Sequence, residues 1–274
     1  MSKMKAIKTF RDLLSFLTII PLGKTEDFVE TSAEAVFLFP LIGAFIGLLG
    51  AGYFLACNLI VSNVLVFVDS WIPYVPATFL SQLVPAVMTV ALLLVLTGLQ
   101  HFDGVVDLGN AIGVGNAEER RAIAHVWTVT YKGAVLAFFV EALAVAGLFL
   151  LSWKFAFRAV FAAEVAAKLG MVTIMCVGKP THKGLGSRFL SKAKRKRSAV
   201  AFVIAGLVVF PLFGFTQLGL ILSAGVLLVS VLCGVLMNAV GNRVFGGVSG
   251  DMIGATNEVV RAVAVVFVAG ALIL

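Results

Sequence analysis

The sequence predicts an all-α integral membrane protein, a helical bundle that crosses the bilayer about six or seven times. Hydrophobic residues make up 61% of the chain and charged residues only 13%, whereas soluble domains carry roughly a quarter charged residues. The apolar residues occur in long runs separated by short polar connections. We therefore expect residues 1–274 to form a single membrane domain, with no room for a further soluble domain.

Seven apolar runs are long enough to hold membrane-spanning helices, although the last is short. They cover residues 35–61, 83–99, 133–151, 155–177, 199–215, 218–240 and 259–274. Pro40 and Gly43, near the start of the first run, predict a kink or a late entry into the membrane. The N-terminal stretch 13–22 is interpreted as a retained segment that lies shallowly or at the membrane interface.

The distribution of Lys and Arg predicts that the N-terminus faces the cytoplasm. Connections 100–132 and 178–198 carry Lys and Arg, as the N-terminus does, whereas connection 62–82 carries neither. Lys154, in the turn between the third and fourth runs, departs from this alternation. The basic stretch 188–197, which includes Lys194 and Arg195, is interpreted mainly as a topology determinant facing anionic headgroups. Binding of an anionic substrate is the alternative.

These features predict a multi-pass protein of the cell membrane whose partner is the lipid bilayer. The net charge of +7 would suggest nucleic acid in a soluble protein, but here most of the excess lies in one loop. We therefore expect no nucleic acid partner. Whether the chain forms a homo-oligomer stays open.

Connection 100–132 contains the most informative polar residues. Asp103, Asp107 and Asn110 are spaced i, i+4 and i+7, so a helix would place them on one face. Carboxylates on one face repel each other unless a proton or a cation lies between them. Oxygen ligands of this kind suit Mg²⁺, which is usually completed by waters and substrate phosphates. The segment predicts either such a site, with His101 as a nearby polar ligand or acid–base group, or a polar cap at the membrane boundary.

A second cytoplasmic segment, 241–258, is rich in glycine and acidic residues. Glycines such as Gly247 and Gly250 let the backbone approach a ligand closely, and glycine-rich loops at helix starts favour phosphates. Asp251 and Glu258 are seven residues apart, so a helix would place them on one face. The alternative is a glycine-lined helix-packing interface. Two acids and Asn257 in the same stretch weigh against that alternative.

Two further features involve cations. In segment 178–188, Lys183 and Arg188 accompany a flexible, glycine-containing backbone that suits phosphate contacts. In the fourth apolar run, Glu164 and Lys168 are spaced i and i+4, and we interpret them as a structural ion pair.

Four stretches of the sequence together carry a family resemblance. They are FLTIIP at 16–21 with FPLIG at 39–43, LQHFDGVVD at 99–107, KGLG at 183–186 followed by Phe189, and GGVSGDMIGA at 246–255. The second is similar to H-x-D-G-x-x-D-x-x-D-G and the fourth to G-G-x-T-G-D-x-x-G-A of the cobalamin synthase (adenosylcobinamide-GDP ribazoletransferase) family. Asn110 and Ala111 replace an aspartate and a glycine of that pattern, and Lys132 is the only charged residue in segment 127–133.

The resemblance implies an Mg²⁺-dependent transferase of late cobalamin biosynthesis. Its substrates would be adenosylcobinamide-GDP and α-ribazole or α-ribazole 5′-phosphate, and it would release GMP. Mg²⁺ would be held by Asp103, Asp107, Asn110 and Asp251. The catalytic candidates are Asp103, Asp107, Asp251 and Glu258, of which Asp251 or Glu258 would accept the hydroxyl proton. The candidates for substrate contact are His101, Lys132, Lys183, Arg188, Gly247, Gly250 and Asn257.

Two other functions compete with this interpretation. A CDP-alcohol phosphotransferase also uses clustered aspartates at a membrane surface, but its D-G, A-R and spaced-aspartate pattern does not follow Asp103. A transporter would place acids near the centres of its spans, as Glu141 and Glu164 are placed in their runs. Solute flux in proteoliposomes without substrate turnover would favour the transporter.

Overall fold

The computed structural model describes residues 3–23, 25–72, 76–124, 128–193 and 196–273. Over these ranges the chain folds into α-helices without β-strands. The α-helices are α1 (Lys3–Leu17), α2 (Phe28–Glu34), α3 (Phe39–Asp69), α4 (Ala77–Leu96), α5 (Gln100–Ala111), α6 (Ala117–Ala124), α7 (Tyr131–Phe149), α8 (Trp153–Val177), α9 (Leu185–Ala193), α10 (Ala199–Phe213), α11 (Gln217–Phe245) and α12 (Gly250–Ile273). Short 3₁₀ turns, Val36–Leu38 and Lys196–Ser198, precede α3 and α10.

Among the described residues, seven helices are long and apolar enough to cross a membrane. They are α3, α4, α7, α8, α10, α11 and α12. Each overlaps one predicted apolar run, which confirms the polytopic helical bundle. The central helix is α8, whose most apolar stretch is 83% buried; α3, α11 and α12 pack around it. The most apolar stretch of α4 is only 28% buried, so α4 presents most of its surface outward.

The starts of two spans define the functional end of the bundle. Pro40 occupies the first turn of α3, where a missing N–H costs no hydrogen bond. This geometry corresponds to a late entry rather than a kink. Helix α12 begins at Gly250, nine residues before the predicted run, so the predicted start of the last span was wrong. Polar residues such as Asn257 do not end the helix because they bond inside the bundle.

Helix α1 does not span the bundle but packs against it. Leu13, Leu14 and Leu17 are buried, and the backbone N–H of Ile19 donates to the carbonyl of Leu96 at 2.9 Å. The segment that follows α1 is therefore tied to the end of α4, next to the start of α5. This position agrees with the interpretation that the segment is not itself a span.

Charged and polar side chains, all buried except the partly buried Glu141, form an ion network between three spans. Its members are Glu141 on α7, Glu164 and Lys168 on α8, and Asn257, Glu258 and Arg261 on α12. Arg261 bonds Glu164 at 2.5 Å and also pairs with Glu258. Lys168 lies 3.2 Å from Glu164, which confirms the predicted ion pair, and donates to Asn257 at 2.7 Å. Because unpaired charges inside a bilayer are costly, this network ties α12 to α8.

Helices α5 and α12 touch through glycines. A Cβ at Gly104 on α5 would collide with the backbone carbonyl of Asp251 on α12. A Cβ at Gly254 on α12 would lie 3.1 Å from the Cα of His101 on α5. The two backbones therefore approach as closely as side-chain-free positions permit.

We expect Gly104→Ala to destabilise the protein, because the added methyl group must push α5 away from α12. Overpacking of this kind costs about 1–3 kcal/mol. The measurement is the midpoint of thermal unfolding in detergent. The matched control is Gly52→Ala, since a Cβ at Gly52 meets nothing within 4 Å and alanine is the better helix former. Equal midpoints for the two variants would contradict the packing described here.

Candidate active site at the contact of α5 and α12

A cavity of about 210 Å³ lies at the end of the bundle where α12 begins. All four stretches that carry the family resemblance contribute to its wall, and we call it the motif cavity. Representative wall residues are Phe16 and Phe39 from the first stretch, His101 from the second, Gly186 from the third, and Gly250 and Asp251 from the fourth. Segments that are far apart in sequence thus build one site.

Segment 178–188, which contains the third stretch up to Gly186, is fastened to the fourth stretch by backbone contacts. The N–H of Val248 donates to the carbonyl of Lys179 at 2.7 Å, and the N–H of Thr181 donates to the carbonyl of Val248 at 3.3 Å. A Cβ at Gly247 would lie 2.7 Å from the same Lys179 carbonyl. Gly247 is therefore required for this backbone packing. The expectation that it contacts substrate gains no support from its buried position.

Gly250 has a different environment. It is exposed, and a Cβ there would meet no atom within 4 Å. It starts α12 and lines the motif cavity, so its backbone N–H stands at a helix N-terminus, which favours anionic groups. The structure thus places this predicted contact residue at the site.

Asp103, Asp107 and Asp251 form a three-aspartate cluster across the α5–α12 contact. Asp103 is exposed, Asp251 is half-buried and Asp107 is 8% exposed. Burial, together with the negative charge of Asp251, raises the pKa of Asp103. Burial and repulsion by Asp103 and Asp251 raise the pKa of Asp107 to about 7. The repulsion shows that the three carboxylates share one electrostatic environment, as the sequence spacing predicted for Asp103 and Asp107.

The orientation of Asp251 is fixed by the residue that precedes α12. The hydroxyl of Ser249 donates to a carboxylate oxygen of Asp251 at 3.1 Å. The same hydroxyl oxygen accepts from the N–H of Met252 at 3.3 Å, as an N-cap residue does. The Ser249 hydroxyl therefore caps the start of α12 and also positions the Asp251 carboxylate.

The donor chemistry of the cluster fits a hard divalent cation, which carboxylate oxygens prefer. In the part of the chain that the structure describes, however, no three His, Cys, Asp or Glu side chains converge closely enough to hold an ion on their own. This arrangement is compatible with Mg²⁺, which usually takes one or two carboxylates and completes its shell with waters and substrate phosphates.

His101 lies in the wall of the motif cavity, two residues before Asp103 on α5. Its side chain is buried, and its Nε2 has no hydrogen-bond partner among the described residues. Burial, reinforced by the positive charges of Lys168 and Arg261, lowers the pKa of His101 well below its usual range. The imidazole is therefore neutral at physiological pH, and it can serve the site as a polar group without adding charge.

Asn110 is used differently from the prediction that it binds a metal. Its Oδ1 accepts from the backbone N–H and the hydroxyl of Thr130, at 3.0 and 2.7 Å, and its Nδ2 donates to the carbonyl of Thr128 at 2.9 Å. Thr130 caps the start of α7. Because both lone pairs of Oδ1 are engaged, Asn110 fastens α5 to α7 and is not available as a ligand in this conformation.

Asn257 and Glu258 do not reach the motif cavity. Both are fully or almost fully buried and belong to the ion network, where Asn257 donates to Glu258 at 3.0 Å and Glu258 pairs with Arg261. Their predicted roles in substrate contact and proton transfer do not agree with this position. Asp251 and Glu258 do lie on one helix, but Glu258 is two turns beyond Asp251 and does not line the cavity.

The predicted cations also divide into two groups. Lys183 and Arg188 are exposed on either side of the cavity residues Leu185 and Gly186. Lys132 donates to the carbonyl of Ile112 at 3.0 Å, at the far end of α5 from His101. Of the three cations, only Lys183 and Arg188 are close in sequence to residues of the motif cavity, although neither is among the residues that line it.

In the basic stretch 188–197, Lys192 is already paired with acidic side chains. Lys192 lies 2.5 Å from Glu30 and 3.0 Å from Glu34, so it joins α9 to α2. Lys194 and Arg195 lie outside the described residues.

The chain also matches known proteins over nearly its whole length. The family model described as cobalamin-5-phosphate synthase matches residues 9–269. The chain belongs to this family. No solved structure matches the chain.

Members of the family with related sequences come from archaea and bacteria. An adenosylcobinamide-GDP ribazoletransferase from Halorubrum lacusprofundi is 32% identical, over 94% of this chain and 95% of that protein. The enzyme of that name from Methanocella arvoryzae is 29% identical, over 93% and 92%. One from Clostridium novyi is 28% identical, over 92% of both chains. The four stretches that carry the resemblance to this family are the ones that meet at the motif cavity.

Sequence reasoning missed several residues of the site. Met171 and Met175 on α8 line the motif cavity, and Ser249 bonds the Asp251 carboxylate beside it. The two methionines are spaced i and i+4 on a helix rich in small residues, a pattern that indicates a shared face. The position of Ser249 directly before a helix was a second usable signal.

We expect the metal-free protein to lose stability between about pH 4 and pH 7. The pKa of Asp107 is raised in the fold to about 7, so the unfolded chain loses its proton first as the pH rises. Folding is then progressively opposed until Asp107 ionises in both states. In EDTA, the unfolding midpoint of Asp107→Asn should fall less from pH 5 to pH 8 than that of the wild type. Asp69→Asn, exposed at the end of α3, is the control, and an Asp107→Asn curve parallel to the wild type would contradict the prediction.

Proposed function

We propose that the chain is an adenosylcobinamide-GDP ribazoletransferase of cobalamin biosynthesis. It joins adenosylcobinamide-GDP to α-ribazole or its 5′-phosphate and releases GMP. The observation that carries the proposal is the meeting of four family stretches at one cavity beside the three-aspartate cluster. The names of relatives that align over nearly the whole chain support the same activity.

The reaction is a phosphoryl transfer. A ribose hydroxyl of the ribazole attacks the phosphorus that carries the cobinamide, so that a new P–O bond forms and a phosphodiester results. The P–O bond to the second phosphate breaks, and that phosphate leaves as GMP. The proton of the hydroxyl passes to a carboxylate. Catalysis of this kind consists mainly of positioning the reactants and neutralising charge.

Asp103, Asp107 and Asp251 are the candidates to hold Mg²⁺, of which one or two would bind the ion directly while waters and substrate phosphates complete its shell. When bound, the ion neutralises charge on the pyrophosphate and on the leaving phosphate. Burial and the neighbouring carboxylates raise the pKa of Asp107, and a nearby cation would favour its ionised form, which supports this assignment.

The other residues bind and orient the substrates. Asp251 lines the motif cavity and accepts the proton of the attacking hydroxyl more readily than the buried Glu258 could. The N-terminus of α12 and the exposed cations Lys183 and Arg188 compensate phosphate charge. All of these groups lie at the end of the bundle that the Lys and Arg distribution assigns to the cytoplasm, where a nucleotide-linked substrate is available.

A transporter is the competing function, and its candidate carboxylates were Glu141 and Glu164. Glu164 is fully buried and held by both Lys168 and Arg261. An ion path needs carboxylates that can exchange partners, so this arrangement favours a structural role for Glu164.

We expect purified protein with adenosylcobinamide-GDP, α-ribazole 5′-phosphate and Mg²⁺ to release GMP. Asp103→Asn, Asp107→Asn and Asp251→Asn should each reduce kcat/KM by about 100-fold or more, because charge stabilisation by a metal is worth several kcal/mol. Asp69→Asn should retain wild-type turnover. Absence of GMP from wild-type protein, under conditions in which a relative is active, would refute the proposed function. Near-normal turnover of Asp103→Asn would refute the metal assignment.

Lys183 and Lys132, which were both predicted to contact substrate, provide a further test. Lys183→Ala should raise the KM for adenosylcobinamide-GDP by about tenfold, because a charge-assisted phosphate contact is worth roughly 1.5–3 kcal/mol. Lys132→Ala should leave that KM within about twofold of the wild type, since its ammonium group bonds Ile112 at the other end of α5 and a single partly exposed lysine contributes little there. A larger rise in this KM for Lys132→Ala than for Lys183→Ala would contradict the proposal that the substrate phosphates lie near Lys183.

A further inference from the structure

The motif cavity is apolar except at one side. Phe16 and Phe189 stack in its wall with ring centroids 4.8 Å apart and an interplanar angle of 19°. Phe39 packs against Phe189 at 6.2 Å, and Met171 and Met175 complete this face from α8. The polar side chains of the wall are Gln100, His101 and Asp251, at the contact of α5 and α12. Flat rings and methionine side chains form a surface that suits a planar apolar group.

The reaction of the proposed function brings three large groups to this end of the bundle: a corrin, a guanine and the base of the ribazole. A cavity of about 210 Å³ is too small for a corrin ring. Guanine carries donors and acceptors around both of its rings, and those that faced the phenylalanine and methionine side chains would remain unsatisfied, which is costly. The dimethylbenzimidazole of α-ribazole is planar, bicyclic and almost entirely apolar. It is the group whose size and polarity match the wall.

We propose that the motif cavity binds the benzimidazole base of α-ribazole and thereby selects the lower-ligand nucleotide. The inference rests on the proposed function and adds to it the site and the chemical basis of base selection. The base lies among Phe39, Phe189, Met171 and Met175, and the ribose emerges at the side of His101 and Asp251. A ribose hydroxyl is then held next to the carboxylate that accepts its proton.

The rim of the cavity offers a site for mutation that does not depend on the buried core. Leu185 lines the cavity and is 50% exposed, so its truncation leaves the packing of the bundle intact. Met175 is fully buried in the opposite wall, and its truncation widens the cavity. Leu207 on α10 is 71% exposed and does not line the cavity, so Leu207→Ala is a matched control for Leu185→Ala.

The experiment measures GMP release by the full chain in detergent, with each substrate varied in turn. We expect Leu185→Ala and Met175→Ala to raise the KM for α-ribazole 5′-phosphate about tenfold, which is the usual effect of lost apolar contact in a specificity pocket. The KM for adenosylcobinamide-GDP should stay within twofold, and Leu207→Ala should match the wild type. Free 5,6-dimethylbenzimidazole should inhibit competitively against α-ribazole 5′-phosphate. The analogous nucleotide of adenine should be a poorer substrate of the wild type, because its exocyclic amine would be unsatisfied in the cavity.

The outcomes separate this inference from the proposed function. Wild-type turnover together with a raised KM for adenosylcobinamide-GDP in Leu185→Ala would assign the cavity to the other substrate and overturn the inference alone. Wild-type turnover with both KM values unchanged in Leu185→Ala and Met175→Ala would also overturn it, and would leave a lipid chain as the occupant. Absence of GMP from wild-type protein would overturn the proposed function and this inference with it.

Discussion

The close approach of α5 to α12 is the constraint on which the site depends. Two helices bring carboxylates into one electrostatic environment only if their backbones come close, and Gly104 and Gly254 leave no side chain between them. Asp103 and Asp107 then repel Asp251. The repulsion is a cost to the metal-free fold and a source of affinity for a cation. Glycine at the contact and aspartate beside it are thus parts of one arrangement, in which the packing interface and the binding site coincide.

The ion network explains how α12 can begin with a polar motif and still cross a membrane. Arg261 and Lys168 have carboxylate partners on α8 and α12, so charged groups in the bilayer are paired. The same contacts hold α12 against α8, which carries the methionines of the motif cavity. Support for the site therefore comes from the membrane-spanning helices, and Lys183 and Arg188 lie close in sequence to the cavity residues Leu185 and Gly186.

Much of the fold was predictable because the signal was local. Apolar runs indicate spans whatever their neighbours are, and the i, i+4 spacing of Asp103 and Asp107 correctly indicated a helical face. The start of α12 was not predictable in this way, since Asn257 and Glu258 are compatible with a span only through their partners on other residues of the network. The role of Asn110 likewise depends on Thr128 and Thr130, which fold back onto it. Residues whose function is set by tertiary partners were the ones that the sequence assigned incorrectly.

We propose that Asp103 and Asp107 on α5 and Asp251 on α12 act as one unit in phosphoryl transfer. A double-mutant cycle on GMP release tests it most directly, using Asp103→Asn, Asp251→Asn and the double variant. If the two residues serve one site, kcat/KM of the double variant should be close to that of the more damaged single variant, because the site is already lost. If the two losses multiply, the carboxylates act independently, and the single shared site described here would be contradicted.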